Sequence, residues 1–360
     1  MSAISTSRRA LVLGRGKSGE AAARVLAAQG LEVEFADDLR LVVASPGVQV
    51  KSELELGCEF LRSRGVKLLA VTGSKGKSSV VKLVADALNA NGHKAVACGN
   101  YGLPVCAVGD CDWAVVEVSS FQLETTSLAP DTFEAAVVLN LQEDHLDRHG
   151  GTGKYHALKL KLLDFARQTP RELDGEELVS GYFANRILME NAKNAIFLMR
   201  VAGLDDAAIA RAFREFAPLP HRMNLVGEFG GVKAIDDSKA TNMAALCAGI
   251  AMAGGKVRLI AGGLDKGDDP RIASPLLTNR VKKVYIIGTR PEKLLSAWSG
   301  AVECEVSGDL ATATARAMRE AARGETVLLS PGAASFDQFA SFGERGDAFA
   351  RLVKQEGQNK

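Results

Sequence analysis

The stretch Leu68-Leu-Ala-Val-Thr-Gly-Ser-Lys-Gly-Lys-Ser-Ser79 decides the fold. An apolar run of strand length breaks into two glycines, two lysines and hydroxyls. Val80, Val81, Leu83, Val84, Ala87 and Leu88 then recur at helical spacing until Asn91-Gly92 stops them. The pattern predicts a strand, a phosphate loop and a helix. Gly73 and Gly76 let the backbone turn its N–H groups toward an anion, Lys77 adds a point charge, Ser78 offers a hydroxyl to Mg²⁺, and the helix supplies its positive N-terminal end. Val71 stands where the first glycine of G-x-x-x-x-G-K-[ST] would fall, so the loop is a shorter variant. An ordinary Gly/Ser turn is the competing reading. The strand before it and the helix after it favour a nucleoside triphosphate held by Gly73, Ser74, Lys75, Gly76, Lys77, Ser78 and Ser79.

Around this loop lie 360 residues, more than one core of about 250–300 residues accommodates, so two or three domains are expected. A hydrophobic share of 47% with 24% charged residues suits a globular chain, and a net charge of +1 gives no field to draw it to nucleic acid or a membrane. Anionic ligands must be held locally. The six cysteines form no C-x-x-C pair and only five histidines accompany them, which argues against a zinc site or a disulfide framework. Reduced thiols, no secretory signal and no apolar run of membrane-spanning length lead to the expectation of a cytoplasmic protein.

Upstream, a short strand feeds Gly14-Arg-Gly-Lys-Ser-Gly19, a helix pattern covers 20–29, and Asp37 ends the next apolar stretch, where a dinucleotide fold places its ribose-binding acid. An oxidoreductase that uses NAD is one reading of this G-x-G-x-x-G. It leaves the phosphate loop unexplained. Residues 40–50 read as a further strand ending in Ala-Ser-Pro-Gly-Val.

Downstream, strands at 113–118 and 133–141 end in Glu117-Val-Ser-Ser-Phe-Gln-Leu-Glu124 and Asn140-Leu-Gln-Glu-Asp-His-Leu-Asp-Arg-His149. A parallel sheet gathers such strand ends at one edge, so Glu117 and His145 should face the loop, where oxygen-rich ligands suit Mg²⁺ with a triphosphate. A solvated loop is the competing reading of Glu143, Asp144 and Asp147, and His93, His149 and His156 receive no role. On a helix starting near Lys154, Tyr155, Leu158, Leu162, Phe165 and Ala166 share an apolar face, and Lys159 falls inside it. A lysine there has its pKa lowered, which leaves neutral amine to take up CO₂ as a carbamate. From the helix pattern alone, a snorkelling structural lysine ranks ahead of that role. From about Pro218, strands at 256–261, 282–287 and 325–330 alternate with helical stretches such as 311–322. Their polar turns, Ile235-Asp-Asp-Ser-Lys-Ala-Thr-Asn242, Gly262-Gly-Leu-Asp-Lys266 and the stretch from Leu329 to Phe339, suit a small carboxylated ligand. N-capping by Ser238 and Ser335 is the plainer alternative.

The ordered set GRGKSG, VASPGV, VTGSKGKSS, GNYGLP, EVSSFQLETT, NLQEDHLDRHG, YHALK, PHRM, DDSKATN, GGLDK and SPGAASFDQFASFGERG resembles the Mur ligases, the ATP-dependent amide-forming enzymes of bacterial cell-wall synthesis. EVSSFQLETT and the serine-rich last motif point to the branch that adds D-glutamate. The resemblance implies an α/β fold of three domains. Residues 1–66 would form a Rossmann-like UDP-sugar domain, 67–217 a central P-loop ATPase-like parallel-sheet domain, and 218–360 a Rossmann-like domain for the amino acid.

It also implies ATP, two Mg²⁺ ions and a carbamylated Lys159. Lys77, Glu117, His145 and Lys159 would be catalytic, and Ser78, Glu117, His145 and the carbamate would bind metal. Asn191, Asn194, Arg222 and Asp237 would join the loop around ATP. Lys17, Ser18, Asp37, Ser45 and Asn100 would meet UDP-N-acetylmuramoyl-L-alanine, and Lys239, Thr241, Lys266, Ser335 and Phe342 would hold D-glutamate. A monomer with no nucleic-acid or membrane partner is expected. Relative to the family the chain is short near 38–39, 50–53 and 163–185, and Glu190 replaces the histidine that precedes Asn-x-x-Asn. Another ligase of the Mur or folylpolyglutamate type, or an inactive nucleotide- or UDP-sugar-binding homologue, remain the alternatives.

Overall fold

Residues 9–36, 50–141 and 151–358 are described by the structure, a computed structural model. They fall into two units, Met1–Phe216 and Ala217–Lys360.

In the first unit, β1 (Arg9–Leu13) and β2 (Glu32–Ala36) pair in parallel through α1 (Lys17–Ala28). The third glycine of the opening motif is demanded by that crossover: a Cβ on Gly19 would stand 2.1 Å from the Gly14 carbonyl oxygen. After α2 (Glu53–Ser63) comes the phosphate-loop strand β3 (Lys67–Thr72), followed by α3 (Lys77–Ala90), β4 (Ala95–Gly99), β5 (Trp113–Glu117), α4 (Ser120–Thr125) and β6 (Phe133–Val138). Then come α5 (Thr152–Leu160), β7 (Ala166–Gln168), α6 (Met189–Val201) and α7 (Asp206–Glu215). Five strands form one parallel sheet in the order β4-β5-β3-β6-β7. Leu69, Ala70 and Val71 of β3 are fully buried, as expected for a strand covered on both faces. The chain leaves β3 toward β4 on one side and reaches β6 on the other, so the order reverses at β3. Its carboxyl end is the switch-point crevice of the sheet, flanked by the ends of β5 and β6.

The expected helix near Lys154 starts at Thr152 and tightens into a 3₁₀ turn over Lys161–Phe165. This changes which side chains it buries: Tyr155, Lys159, Leu162 and Phe165 are inside, Leu158 only partly, and Ala166 has passed into β7.

The second unit opens with β8 (Asn224–Phe229) and β9 (Val232–Asp236), an antiparallel hairpin closed by Gly230 and Gly231, both at positive φ. Next in the chain are α8 (Met243–Met252), β10 (Val257–Gly262), α9 (Ser274–Arg280), β11 (Val281–Ile287) and α10 (Glu292–Trp298). β12 (Glu303–Gly308), α11 (Leu310–Glu320), β13 (Thr326–Leu329) and α12 (Phe342–Gly357) complete it. The sheet order is β12-β11-β10-β13-β9-β8, parallel except for β8, with an apolar cluster on each face. The turns after β9, β10 and β13 therefore meet at one edge. Ser238 and Ser335 do not cap helices. Asn242 caps α8 and Ser341 caps α12, each accepting from the N–H three residues on, because the polar turns run further before the helices begin.

Candidate functional site

The phosphate loop is a close-fitted turn. Gly73 and Gly76 sit at φ 147° and 84°, and Gly76 is the left-handed residue just before α3. A Cβ on Gly76 would lie 2.1 Å from Asn191 Nδ2, so this position needs glycine for space as well as for conformation. Lys77 Nζ folds back to donate to the carbonyls of Gly73 at 2.7 Å and Ser74 at 3.1 Å. Ser78 and Ser79 are buried in the first turn of α3, and the Ser74 hydroxyl meets the Tyr155 hydroxyl at 3.1 Å.

The neighbouring strands bring further groups to this loop. Glu117 ends β5 beside Val71 and is 2% exposed. Its Oε1 accepts from Asn100 Nδ2 at 2.9 Å, while its Oε2 is buried with no hydrogen-bond partner among the described residues. A buried carboxylate oxygen without a donor is costly, which makes it a place where a cation fits. From α5, Lys159 is also 2% exposed; its Nζ donates to the Gly73 carbonyl at 2.9 Å and lies 4.6 Å from the Tyr155 ring centroid. Asn191 and Asn194 are buried on α6, and Asn194 Nδ2 donates to the Glu190 carbonyl while its Oδ1 has no partner among the described residues.

Residues 73–79, Asn100, Glu117, Lys159 and Asn191 thus share one neighbourhood. Lys17 and Ser18 are exposed at the start of α1. Asp37, Ser45 and His145 lie outside the described residues. Among the described residues, no group of three or more His, Cys, Asp and Glu forms a metal cluster. Tyr155 and Asn140 also touch the loop. Asn140 stands inside a motif whose acids and histidine draw attention away from it, and the cue is its place just past the strand beside β3.

In the second unit, the turn after β9 is organised by two acids. Asp236 Oδ2 meets His221 Nδ1 at 2.7 Å, and its Oδ1 accepts from the Ser238 N–H. His221 and Met223, on either side of Arg222, both have positive φ, so the segment that presents Arg222 is strained. Asp237 accepts from the Ser330 hydroxyl at 2.9 Å and from the Met223 N–H at 3.3 Å.

Lys239 Nζ lies 3.8 Å from the Phe342 ring centroid. Ser335 is buried, Thr241 half-buried and Lys266 exposed at its turn. Behind them Arg345, 1% exposed, donates to the Ser238 hydroxyl and to the carbonyls of Ser238, Ala333 and Ala334, which ties the turn after β9 to the turn after β13. Its signal in the sequence is a charge four residues before Phe349, on the face of the last helix that is buried.

Burial pushes the Asp237 carboxyl up to about 7, against the lowering effect of the Ser330 and Met223 hydrogen bonds. The unfolded chain gives up this proton near about 3.9, and the folded chain only near 7. The folded state therefore binds more protons between these values, and the contribution of this group to stability falls as pH rises through that window. The urea midpoint of the wild type is expected to decline more steeply from about pH 4 to 7 than that of Asp237→Asn; parallel slopes would refute it.

A phosphate loop at the switch point of a parallel sheet, with a second α/β unit after it, defines an α/β nucleotide-site protein. Residues 71–171 match the Mur ligase middle domain, and residues 221–333 match the Mur ligase glutamate ligase domain. The chain belongs to the Mur ligase family.

More particularly, it is 34% identical to the UDP-N-acetylmuramoylalanine–D-glutamate ligase of Acidobacterium capsulatum, over 450 aligned positions that take in 96% of each sequence. Because this chain has 360 residues, at least 90 of those 450 positions face a gap in it. The ligase of the same name from Rubrobacter xylanophilus is 36% identical, over 96% of this chain and 98% of that one. Among solved structures, MurF ligase from Thermotoga maritima in complex with ADP has a TM-score of 0.65 at 17% identity and covers 100% of both chains. E. coli FolC in complex with ADP gives 0.58 at 17% identity, over 87% of this chain and 95% of that one. These two likenesses concern the fold. Among the described residues no helix is long and apolar enough to cross a membrane.

Proposed function

We propose that this chain is an ATP-dependent ligase that adds D-glutamate to UDP-N-acetylmuramoyl-L-alanine, a cytoplasmic step in peptidoglycan precursor synthesis. The observation that carries the reading is the buried, unpaired Glu117 oxygen beside a phosphate loop, in a chain 34% identical over 96% of its length to a ligase of that name. Residues 1–66 would hold the UDP-sugar through Lys17, Ser18, Asp37 and Ser45, joined by Asn100 from the central segment. Residues 67–217 would hold ATP, and 218–360 the amino acid. The separation of the sheets β1–β2, β3–β7 and β8–β13 supports this division.

The substrate carboxylate attacks the γ-phosphorus of ATP and releases ADP, leaving an acyl phosphate. The amine of D-glutamate then attacks that carbonyl, and phosphate leaves with the amide formed. The protein's part is placement and charge. Lys77 and the loop amides bind the phosphates, and Asn191, Asn194, Arg222 and Asp237 orient the nucleotide. Lys239, Thr241, Lys266, Ser335 and Phe342 present the amino acid, where the ammonium of Lys239 offers a carboxylate partner.

Ser78, Glu117, His145 and a carbamylated Lys159 would hold Mg²⁺, and the orphaned Glu117 oxygen fits that part. When bound, the ions supply neutralisation of charge on the transferred phosphoryl group. The test is phosphate release from ATP with UDP-N-acetylmuramoyl-L-alanine and Mg²⁺, comparing D-glutamate, L-glutamate, L-lysine and diaminopimelate. Selective stimulation by D-glutamate is expected; stimulation by another of these amino acids, or by none, overturns the proposal.

A further inference from the structure

Asn140, two positions past β6, bonds to the phosphate loop at three points, and none of the roles above uses it. Its backbone carbonyl accepts from the Ser74 N–H at 2.9 Å. Its side-chain Oδ1 accepts from the Lys75 N–H at 2.9 Å, and Nδ2 donates back to the Lys75 carbonyl at 2.8 Å. Nδ2 also donates to Asn191 Oδ1 at 3.1 Å. Both side-chain N–H groups and the side-chain oxygen are thereby engaged.

The paired bonds to Lys75 copy the exchange between two β residues, with a primary amide standing in for a second backbone. Asparagine is the residue whose short side chain ends in that donor–acceptor pair; aspartate has no donor and serine a single hydroxyl. Asn191, bonded to Asn140, has its own Nδ2 against Gly76, where a Cβ would stand 2.1 Å from it. Lys75, Asn140, Asn191 and Gly76 form a closed path around the loop just before Lys77.

We propose that Asn140 is a positioning residue, a latch that holds residues 74–76 in the curvature that receives the phosphates and couples that curvature to α6 through Asn191. The inference rests on the reading of this loop as the ATP site. A loop ordered in advance spends less of its binding energy on losing backbone freedom, so the latch acts on nucleotide affinity and not on the other substrates.

The test uses the full chain and its variants Asn140→Asp and Asn140→Ser. The first is isosteric but turns the two donors into acceptors facing the Lys75 carbonyl and Asn191 Oδ1. The second is neutral, so it separates loss of the latch from a new charge near phosphate, and it carries the measurement if the first does not fold. Both are expected to raise the KM for ATP and the Kd for MgADP by calorimetry at least about tenfold, a weakening of the size that losing paired hydrogen bonds gives. The KM values for the UDP-sugar and D-glutamate, and kcat at saturating ATP, should stay within about twofold of wild type.

A residue that served folding alone would lower kcat with every KM unchanged, and that result overturns the latch. So does weakened binding in Asn140→Asp without weakening in Asn140→Ser. Wild-type binding of MgADP with both variants unaffected overturns the latch alone, whereas no binding by the wild type overturns the ATP reading and the latch with it.

Discussion

Lys77→Ala is expected to lose ATP-dependent phosphate release by about a thousandfold or more while melting close to the wild-type temperature. The size follows from what the site lacks. Phosphoryl transfer asks little covalent work of the protein, so the barrier is lowered by charge and placement, and Lys77 is the loop lysine whose amine lies over the turn. Its amine already lies within 2.7 Å of the Gly73 carbonyl and 3.1 Å of the Ser74 carbonyl, drawn back over the turn that would hold the phosphates. The stem of Lys77 is only part-buried at the first position of α3, so truncation opens no core cavity. Lys77→Arg tests geometry against charge: a guanidinium keeps the charge but is planar and broad, and it should restore little in a turn this close-fitted. Phosphate release by Lys77→Ala above about a tenth of wild type, with all substrates present, would remove the loop from the chemistry.

The central sheet was legible because its strands are buried on both faces and so appear as unbroken apolar runs; Leu68–Ala70 and Trp113–Val116 could hardly be anything else. The hairpin of β8 and β9 was not, since Asn224–Phe229 carries half-exposed residues and its pairing depends on a Gly-Gly turn whose conformation sequence states only weakly. Lys159 announced itself through a conflict, a charge on an apolar face. The helix wheel nevertheless failed beyond Leu160, where tertiary packing tightened the turn to 3₁₀ geometry.

Asn140 and Arg345 show the other limit. Their roles consist of bonds to backbone groups remote in the chain, 65 positions away for the bond of Asn140 to Lys75 and 107 for that of Arg345 to Ser238, and no local pattern encodes such pairs. The relatives' extra positions sharpen this point: despite at least 90 aligned positions without a counterpart among 360 residues, the loop, Glu117 and Lys159 still meet. What persists is the loop and Glu117, fixed by the parallel register of β3 and β5, and Lys159, brought to Gly73 from α5.

Its place at Gly73 gives Lys159 a choice between two roles, and substitution can separate them. As an amine it is buried, donates to the Gly73 carbonyl and faces the Tyr155 ring, which is a sufficient structural role for a cation that braces the loop. As a carbamate, formed when neutral amine adds to CO₂ and releases a proton, it would carry two acceptor oxygens and a negative charge. Nζ would keep one N–H for the Gly73 carbonyl, and the two new oxygens would suit Mg²⁺ together with Glu117.

Lys159→Arg keeps a cation and several N–H donors but forms no carbamate under these conditions. If bracing is the role, Arg should retain much of the activity and Ala should lose it without remedy. If the carbamate is the role, both variants should fall by about a hundredfold or more, the scale of losing a metal ligand, and Lys159→Ala alone should recover partly when formate or acetate fills the vacated space. The second pattern is the one expected, because a carbamate would add oxygen ligands for Mg²⁺ to a site where Glu117 Oε2 is buried with no hydrogen-bond partner among the described residues. Activity in Lys159→Arg, or absence of any rescue of Lys159→Ala across a series of short carboxylates, would assign Lys159 to the bracing of the loop.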